Sequence, residues 1–214
     1  MTITEVLNQI HVKYEFNVEY FDMTNEDQLV RLALVNDKIN MWENEDGILW
    51  RELFTSVQDR FTDEATYPVE DLILPANRIL SDGVYYEYIS PELLQEQEKM
   101  APGQHMFTIT GGDTEKVINV PAERANEEFS FYYYKKARQY TTGVETEPLE
   151  MADPYFVIYS VVAELFLDDG DTEKAAVAVQ IATQKLEGMK SKNAAVPVFV
   201  DTKQPDYQFQ GFGN

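Results

Sequence analysis

Residues 155–167 read YFVIYSVVAELFL and are apolar around nearly the whole circumference of a helix. Their two polar members, Ser160 and Glu164, lie four apart and share one narrow face. A helix that is apolar all round is stable only when other elements enclose it. This one segment therefore obliges the chain to build a helical layer around it. Asp153 and Pro154 supply a cap and a first-turn proline, and Gly170 is placed to end the helix. The next helix, to about Lys190, carries an apolar face of Ala175, Ala178, Val179, Ala182, Leu186 and Met189. Its small residues permit close packing on its predecessor, so the two form an αα-hairpin.

The N-terminal part supplies more helix. Thr2 and Glu5 have capping-box spacing, and Ile3, Val6, Leu7 and Ile10 follow at helical intervals. Residues 13–23 alternate aromatic and polar positions, which predicts a short strand or extended arm. Thr24 caps a second helix with Leu32, Val35, Ile39 and Trp42 on one face. After an acidic turn at 43–47, apolar Ile48, Leu49, Leu53, Val57 and Phe61 predict a third helix to about residue 60.

The texture then changes. Pro68, Pro75, Pro91, Pro102 and Pro121 punctuate the chain and helical periodicity fades. Strands are predicted at 71–74 and 84–88, and Ser90 with Pro91 opens a short helix toward Lys99. Residues 107–120 form a β-hairpin around Gly111 and Gly112, and 129–136 form a further strand. The expected fold is α+β, a mainly α-helical bundle with an inserted small β-rich subdomain and an extended C-terminal tail. Its parts are an N-terminal helical part (1–65), the β-rich insertion (66–148), a helix pair completing the bundle (149–192) and the arm (193–214). In the arm, Val198, Phe199, Val200, Tyr207, Phe209 and Phe212 are spaced as anchors, either for a neighbouring subunit or partner or for a tail that wraps its own domain. Truncation after Lys192 is expected to leave the fold intact and to weaken assembly.

Charge limits the partners. With 38 acidic and 17 basic residues the net charge is −21, and such a surface repels phosphate backbones. The compact basic cluster Lys135, Lys136 and Arg138 follows Tyr132, Tyr133 and Tyr134. It reads as the wet end of a strand rather than as a base-stacking platform. The chain has no cysteine, which removes disulfides and thiolate chemistry. No leader-like start or membrane-length apolar run is present, so a soluble chain made in a cytoplasm is expected, with no membrane partner.

The residues offer little catalytic chemistry. His11 and His105 have no partner at metal-ligand spacing. Asp168, Asp169, Asp171 and Glu173 miss the calcium-loop offsets and read as a capped helix break. Glu123, Glu127 and Glu128 read as solvated. The expectation is no enzyme, no catalytic residue, no cofactor and no metal.

The order of the parts carries a resemblance. Thr24–Leu29 and Trp42 in the helices come first, followed by Leu74, Pro75, Ala76, Asn77, Arg78 and Ile79. Then come the Gly-Gly hairpin, the strand FSFYYYKK at 129–136, and DGDTEKAAVAVQIATQKLEGMK at 169–190 after the apolar helix. Over roughly residues 24–190 this resembles the head-to-tail adaptor, or connector, proteins of tailed bacteriophages. The resemblance implies a structural virion protein at the head–tail junction. It would form a homo-oligomeric ring, commonly of twelve copies, docked on the portal protein and receiving a tail or nozzle protein. Genome DNA would pass through the channel without specific binding, kept from sticking by acid facing the lumen. The alternative is an acidic DNA mimic that inhibits a host DNA-binding protein. A carboxylate enzyme is the third reading.

Overall fold

The computed structural model describes residues 1–16, 26–69, 71–93, 105–112 and 115–194. Helix α1 spans Ile3–Glu15 and opens with the predicted capping box. The Glu5 amide donates to Thr2 Oγ1 at 3.3 Å, and the Thr2 amide donates to Glu5 Oε2 at 2.9 Å. Replacing Thr2 by alanine is expected to cost about 1 kcal/mol, read as a lower midpoint in urea unfolding. Residues 13–15, predicted to be extended, continue this helix, and residues 17–25 lie outside the described part.

Helix α2 spans Glu26–Glu43, α3 spans Tyr155–Asp168 and α4 spans Thr172–Ala194. Asp153 Oδ1 accepts from the Tyr155 amide at 3.1 Å and caps α3. Gly170, at φ +79, makes the left-handed turn between α3 and α4, and Asp171 Oδ1 then caps α4 through the Lys174 amide. α3 is the hub, with α4, α1 and α2 packed around it. Phe156, Val157, Ile158, Val161, Val162, Ala163 and Phe166 are all buried there. Ser160 Oγ returns a hydrogen bond to the Phe156 carbonyl, and Glu164 pairs with Lys38 of α2 at 2.5 Å. On α4, Ala175, Ala178, Ala182 and Met189 face α3 as expected, whereas Val179 points outward.

Between the helices lie seven strands among the described residues, β1 (Phe54–Arg60), β2 (Thr66–Val69), β3 (Leu72–Ser81), β4 (Val84–Tyr88), β5 (Met106–Gly111), β6 (Lys116–Asn119) and β7 (Glu128–Lys135). They form one mixed sheet in the order β1-β7-β3-β4-β5-β6-β2, in which only β4 and β5 pair in parallel. β1 and β2 stand at opposite edges, yet only residues 61–65 join them. The sheet must therefore curl until its edges approach each other, and it is nearly a barrel. The Phe61 amide donates to the Glu127 carbonyl at 3.0 Å and the Val120 amide to the Ala65 carbonyl at 3.1 Å, pinning that junction.

The barrel has its own core of Phe61, Val69, Leu72, Ile79, Tyr86, Phe107, Ile118, Phe129 and Phe131. None of these residues belongs to the helical core. The expectation of a mainly α-helical bundle is thus overturned by a mixed, nearly closed sheet. The third helix expected over 48–60 is a 3-10 turn, Arg51–Leu53, followed by β1. The strand expected to stop near residue 74 runs through Pro75 to Ser81, with register shifts against β7 on both sides of that proline. A proline has no amide to donate, and irregular pairing is where a strand tolerates one. β4, the hairpin β5–β6 and β7 lie where the sequence places them. Residues 91–93 begin the expected short helix, and its continuation is outside the described part.

Candidate interaction surfaces

The groups with chemical potential are largely spent on each other. Lys135 pairs with Glu150 and Arg138 with Glu147, so the basic cluster after the tyrosines is neutralised by the loop that follows it. In the acidic break, Asp169 accepts from the Tyr14 hydroxyl at 2.6 Å and Asp171 holds Lys174 at 2.6 Å. Among the described residues no three potential metal ligands converge. No helix among them is long and apolar enough to cross a membrane. His105 stacks edge-on against Tyr86 at 5.2 Å.

Arg124, Glu127, Ser81 and Tyr86 form a polar cluster on the barrel, although the sequence reads Glu127 as solvated. Arg124 donates from Nη1 to both Glu127 carboxylate oxygens, at 3.2 and 2.8 Å, and its guanidinium lies 5.4 Å from the Tyr86 ring centre. Ser81 Oγ donates to the Glu128 carbonyl at 3.0 Å and approaches Glu127 at 3.3 Å. The Tyr86 hydroxyl and Arg124 Nε are buried without a hydrogen bond of normal geometry. Burial raises the Tyr86 phenol, and the neighbouring Arg124 charge works against that rise. Glu123 and Glu128 stay exposed, Glu128 beside Arg60 at 2.8 Å.

The loop that returns from the barrel to α3 is organised by Glu145. Its Oε1 accepts from the amides of Thr141 and Thr142 at 2.7 and 2.9 Å. Burial alone would raise this carboxyl. Hydrogen bonds from the backbone of Thr142, Thr141 and Glu145 itself and from the Thr142 hydroxyl outweigh it and hold it down at about 2. A depressed carboxylate contributes stability that is fully present above its unfolded value of 4.5 and is lost as pH falls toward 2. Glu145→Gln is therefore expected to lower the urea midpoint at pH 6, with the gap to the unaltered chain closing between pH 4.5 and 2. A gap that stays constant over that range would mean that the charge is not what orders the loop.

Large apolar residues are exposed on the strands, as at Phe54, Tyr85 and Tyr132, and on the helices, where some of them share a groove. Val12 and Phe16 of the α1 end, Tyr159, Val162 and Phe166 of α3, and Val177 and Ile181 of α4 line an open groove of about 570 Å3. Phe16 is 73% exposed and Val177 58%. Lys13 lies in this groove with its ammonium 4.9 Å from the Tyr159 ring centre, and Lys174 and Glu173 stand on its α4 side. Sequence reading assigned none of these residues to a surface site. A signal was present, because residues 175–184 hold ten consecutive uncharged positions in a highly charged chain. The predicted anchors Val198, Phe199, Val200, Tyr207, Phe209 and Phe212 lie outside the described residues. Asn193 accepts from the Arg51 amide and donates to the Leu49 carbonyl. A cut after Lys192 would remove that clamp, so the arm is better tested by ending the chain at Ala194.

No protein-family model matches the chain, and no curated protein matches it significantly.

Proposed function

We propose that this chain is a structural subunit of a head-to-tail adaptor ring in a tailed bacteriophage. One observation carries the reading. Helices α1 and α2, from before the strands, and α3 and α4, from after them, build a single helical core around α3, and the strands between fold around a separate core. A helical part that carries a β insertion between its halves is the arrangement the adaptor resemblance implies. Here the insertion is a nearly closed barrel with few free edges. Two further features agree. Many charged groups pair with each other, and large apolar residues stand exposed on the helical part and on the barrel, available for the contacts between copies that a ring needs.

In this reading the portal protein and a tail or nozzle protein bind the ring at its two ends. Acid on the channel side keeps passing DNA from adhering. Electron microscopy of the native particle, or of the portal-bound assembly, tests it through symmetry alone. A closed ring of this chain on the channel axis supports the adaptor. A monomer or dimer gripping a DNA-binding enzyme in a salt-sensitive way would replace it with the acidic mimic. A basic channel wall would remove the role given to the charge.

A further inference from the structure

Helix α2 has two apolar seams. The inner one, Leu32, Val35, Ile39 and Trp42, is buried in the helical core. The outer one is Val30, Leu34, Asp37 and Met41. Steps of four, three and four residues place these side chains in one stripe along the helix. Val30 is 56% exposed and Met41 54%, and Leu34, at the edge of the stripe, is half-buried and packs in part on its own helical core. A seam of this spacing is what one helix presents to another, and here it carries a single acid in its middle.

The groove between α1 and α4 is its complement. It is floored by Tyr159, Val162 and Phe166 of α3, walled by Val12 and Val177, and contains no residue of α2. Val30 to Asp37 covers about 10 Å at 1.5 Å per residue, and Tyr159 to Phe166 covers the same length. Lys13 in the groove lies over the Tyr155 and Tyr159 rings and has no carboxylate partner among the described residues, and Asp37, 63% exposed, meets only Lys38, at 3.4 Å, whose largely buried ammonium is shared with Glu164. In a chain of net charge −21, self-association is opposed everywhere except at a surface that is apolar or locally basic.

We infer that the outer seam of α2 seats in the α1/α3/α4 groove of a second copy, with Asp37 facing Lys13. The two faces share no residue, so the contact is heterologous and each copy offers one of each. Such contacts propagate, closing as a ring or continuing as a filament according to the rotation between copies. The inference rests on the adaptor reading for closure of the ring, and on the two faces alone for the contact.

The natural absence of cysteine makes the test clean. Full-length chains carrying Val30→Cys with Val177→Cys, or Met41→Cys with Val177→Cys, are concentrated and mildly oxidised. One double variant, set by the direction of the seated helix, is expected to give a ladder of multimers on a non-reducing gel, and the single variants are expected to give none. Asp37→Lys should abolish the ladder, and adding Lys13→Asp should restore it. Dimers from Val177→Cys alone, as abundant as in the double variants, would mean that two grooves face each other and would overturn the inference. Monomers from every variant would overturn it too. The two proposals fail separately. A ring seen by microscopy whose chains never cross-link at these positions keeps the adaptor and removes this contact. A ladder that grows into open filaments keeps the contact and removes the adaptor.

Discussion

Phe131→Ala is expected to destabilise the barrel by about 3–5 kcal/mol, the usual cost of deleting a fully enclosed phenyl ring. Phe131 is 0% exposed on β7, the strand that pairs with β1 on one side and with β3 on the other. Its ring stacks on Tyr133 at 5.6 Å and meets Phe107 edge-on at 6.2 Å. Val57 and Ile79 oppose it on the flanking strands. No small movement closes a hole surrounded on all sides, so both the transfer and the cavity costs apply. The molecule reports the effect in two colours. Both tryptophans, Trp42 and Trp50, are in the helical core, where they stack at 5.2 Å, whereas the barrel core holds Tyr86 and four phenylalanines. In Phe131→Ala, near-ultraviolet circular dichroism from the barrel tyrosines should be lost at lower urea than tryptophan fluorescence. Coincident transitions would show instead that helices and barrel unfold as one unit.

The starts of α1 and α3 and the break between α3 and α4 were legible because each is a local event, whereas the end of α1 was not. Thr2 with Glu5, Asp153 before Pro154, and Gly170 before Asp171 each satisfy or redirect backbone groups within a few residues. The β5–β6 hairpin was legible for the same reason. The failure at 48–60 has a definite cause. Leu49, Leu53, Val57 and Phe61 are four apart, and four is an even number, so the same residues share a face in a strand as well as in a helix. The decision falls to the intervening positions. Thr55 and Val57 are half-buried while Phe54, Ser56 and Gln58 are exposed, an alternation of two. Non-local pairing of β1 with β7, over 70 residues away, selects the strand. Near-closure of the sheet was illegible for a related reason, since no local pattern states that β2 pairs with β6. The groove was hidden because the residues that line it also read as ordinary core positions. Only exposure separates Val177 and Phe16 from buried neighbours such as Ala178.

Arg31 is the residue whose loss should damage the helical part most for its size. It is 5% exposed on α2 and makes three contacts with α1. Nη1 donates to His11 Nδ1 at 3.1 Å, Nη2 donates to Glu15, and the guanidinium lies 5.4 Å from the Tyr14 ring centre. The hydrogen bond from Arg31 holds the Glu15 carboxyl below its ordinary 4.5. Tyr14 in turn donates to Asp169 at the end of α3, and that hydrogen bond, with burial, pushes its phenol up to about 12. A guanidinium can only donate and a carboxylate can only accept, so Nδ1 accepts from Arg31 in one tautomer and donates to Glu15 in the other. Nε2 is buried without a partner among the described residues, and Nδ1 also lies 3.3 Å from the Glu15 carboxylate, so His11, Glu15 and Arg31 form one cluster. Arg31→Ala removes donor and stem together, breaks that cluster and opens a void beside Tyr14. A cost of about 3 kcal/mol is expected, at the lower end for breaking a buried pair, because the Glu15 side chain is 38% exposed and can turn to water. Arg31→Met keeps the volume of the stem and should recover roughly half of that loss in urea unfolding followed by tryptophan fluorescence. The comparison separates the two causes. Equal losses would assign the whole effect to the lost donor, and full recovery in the methionine variant would assign it to packing, leaving the ion pair with no net part in holding α1 against α2.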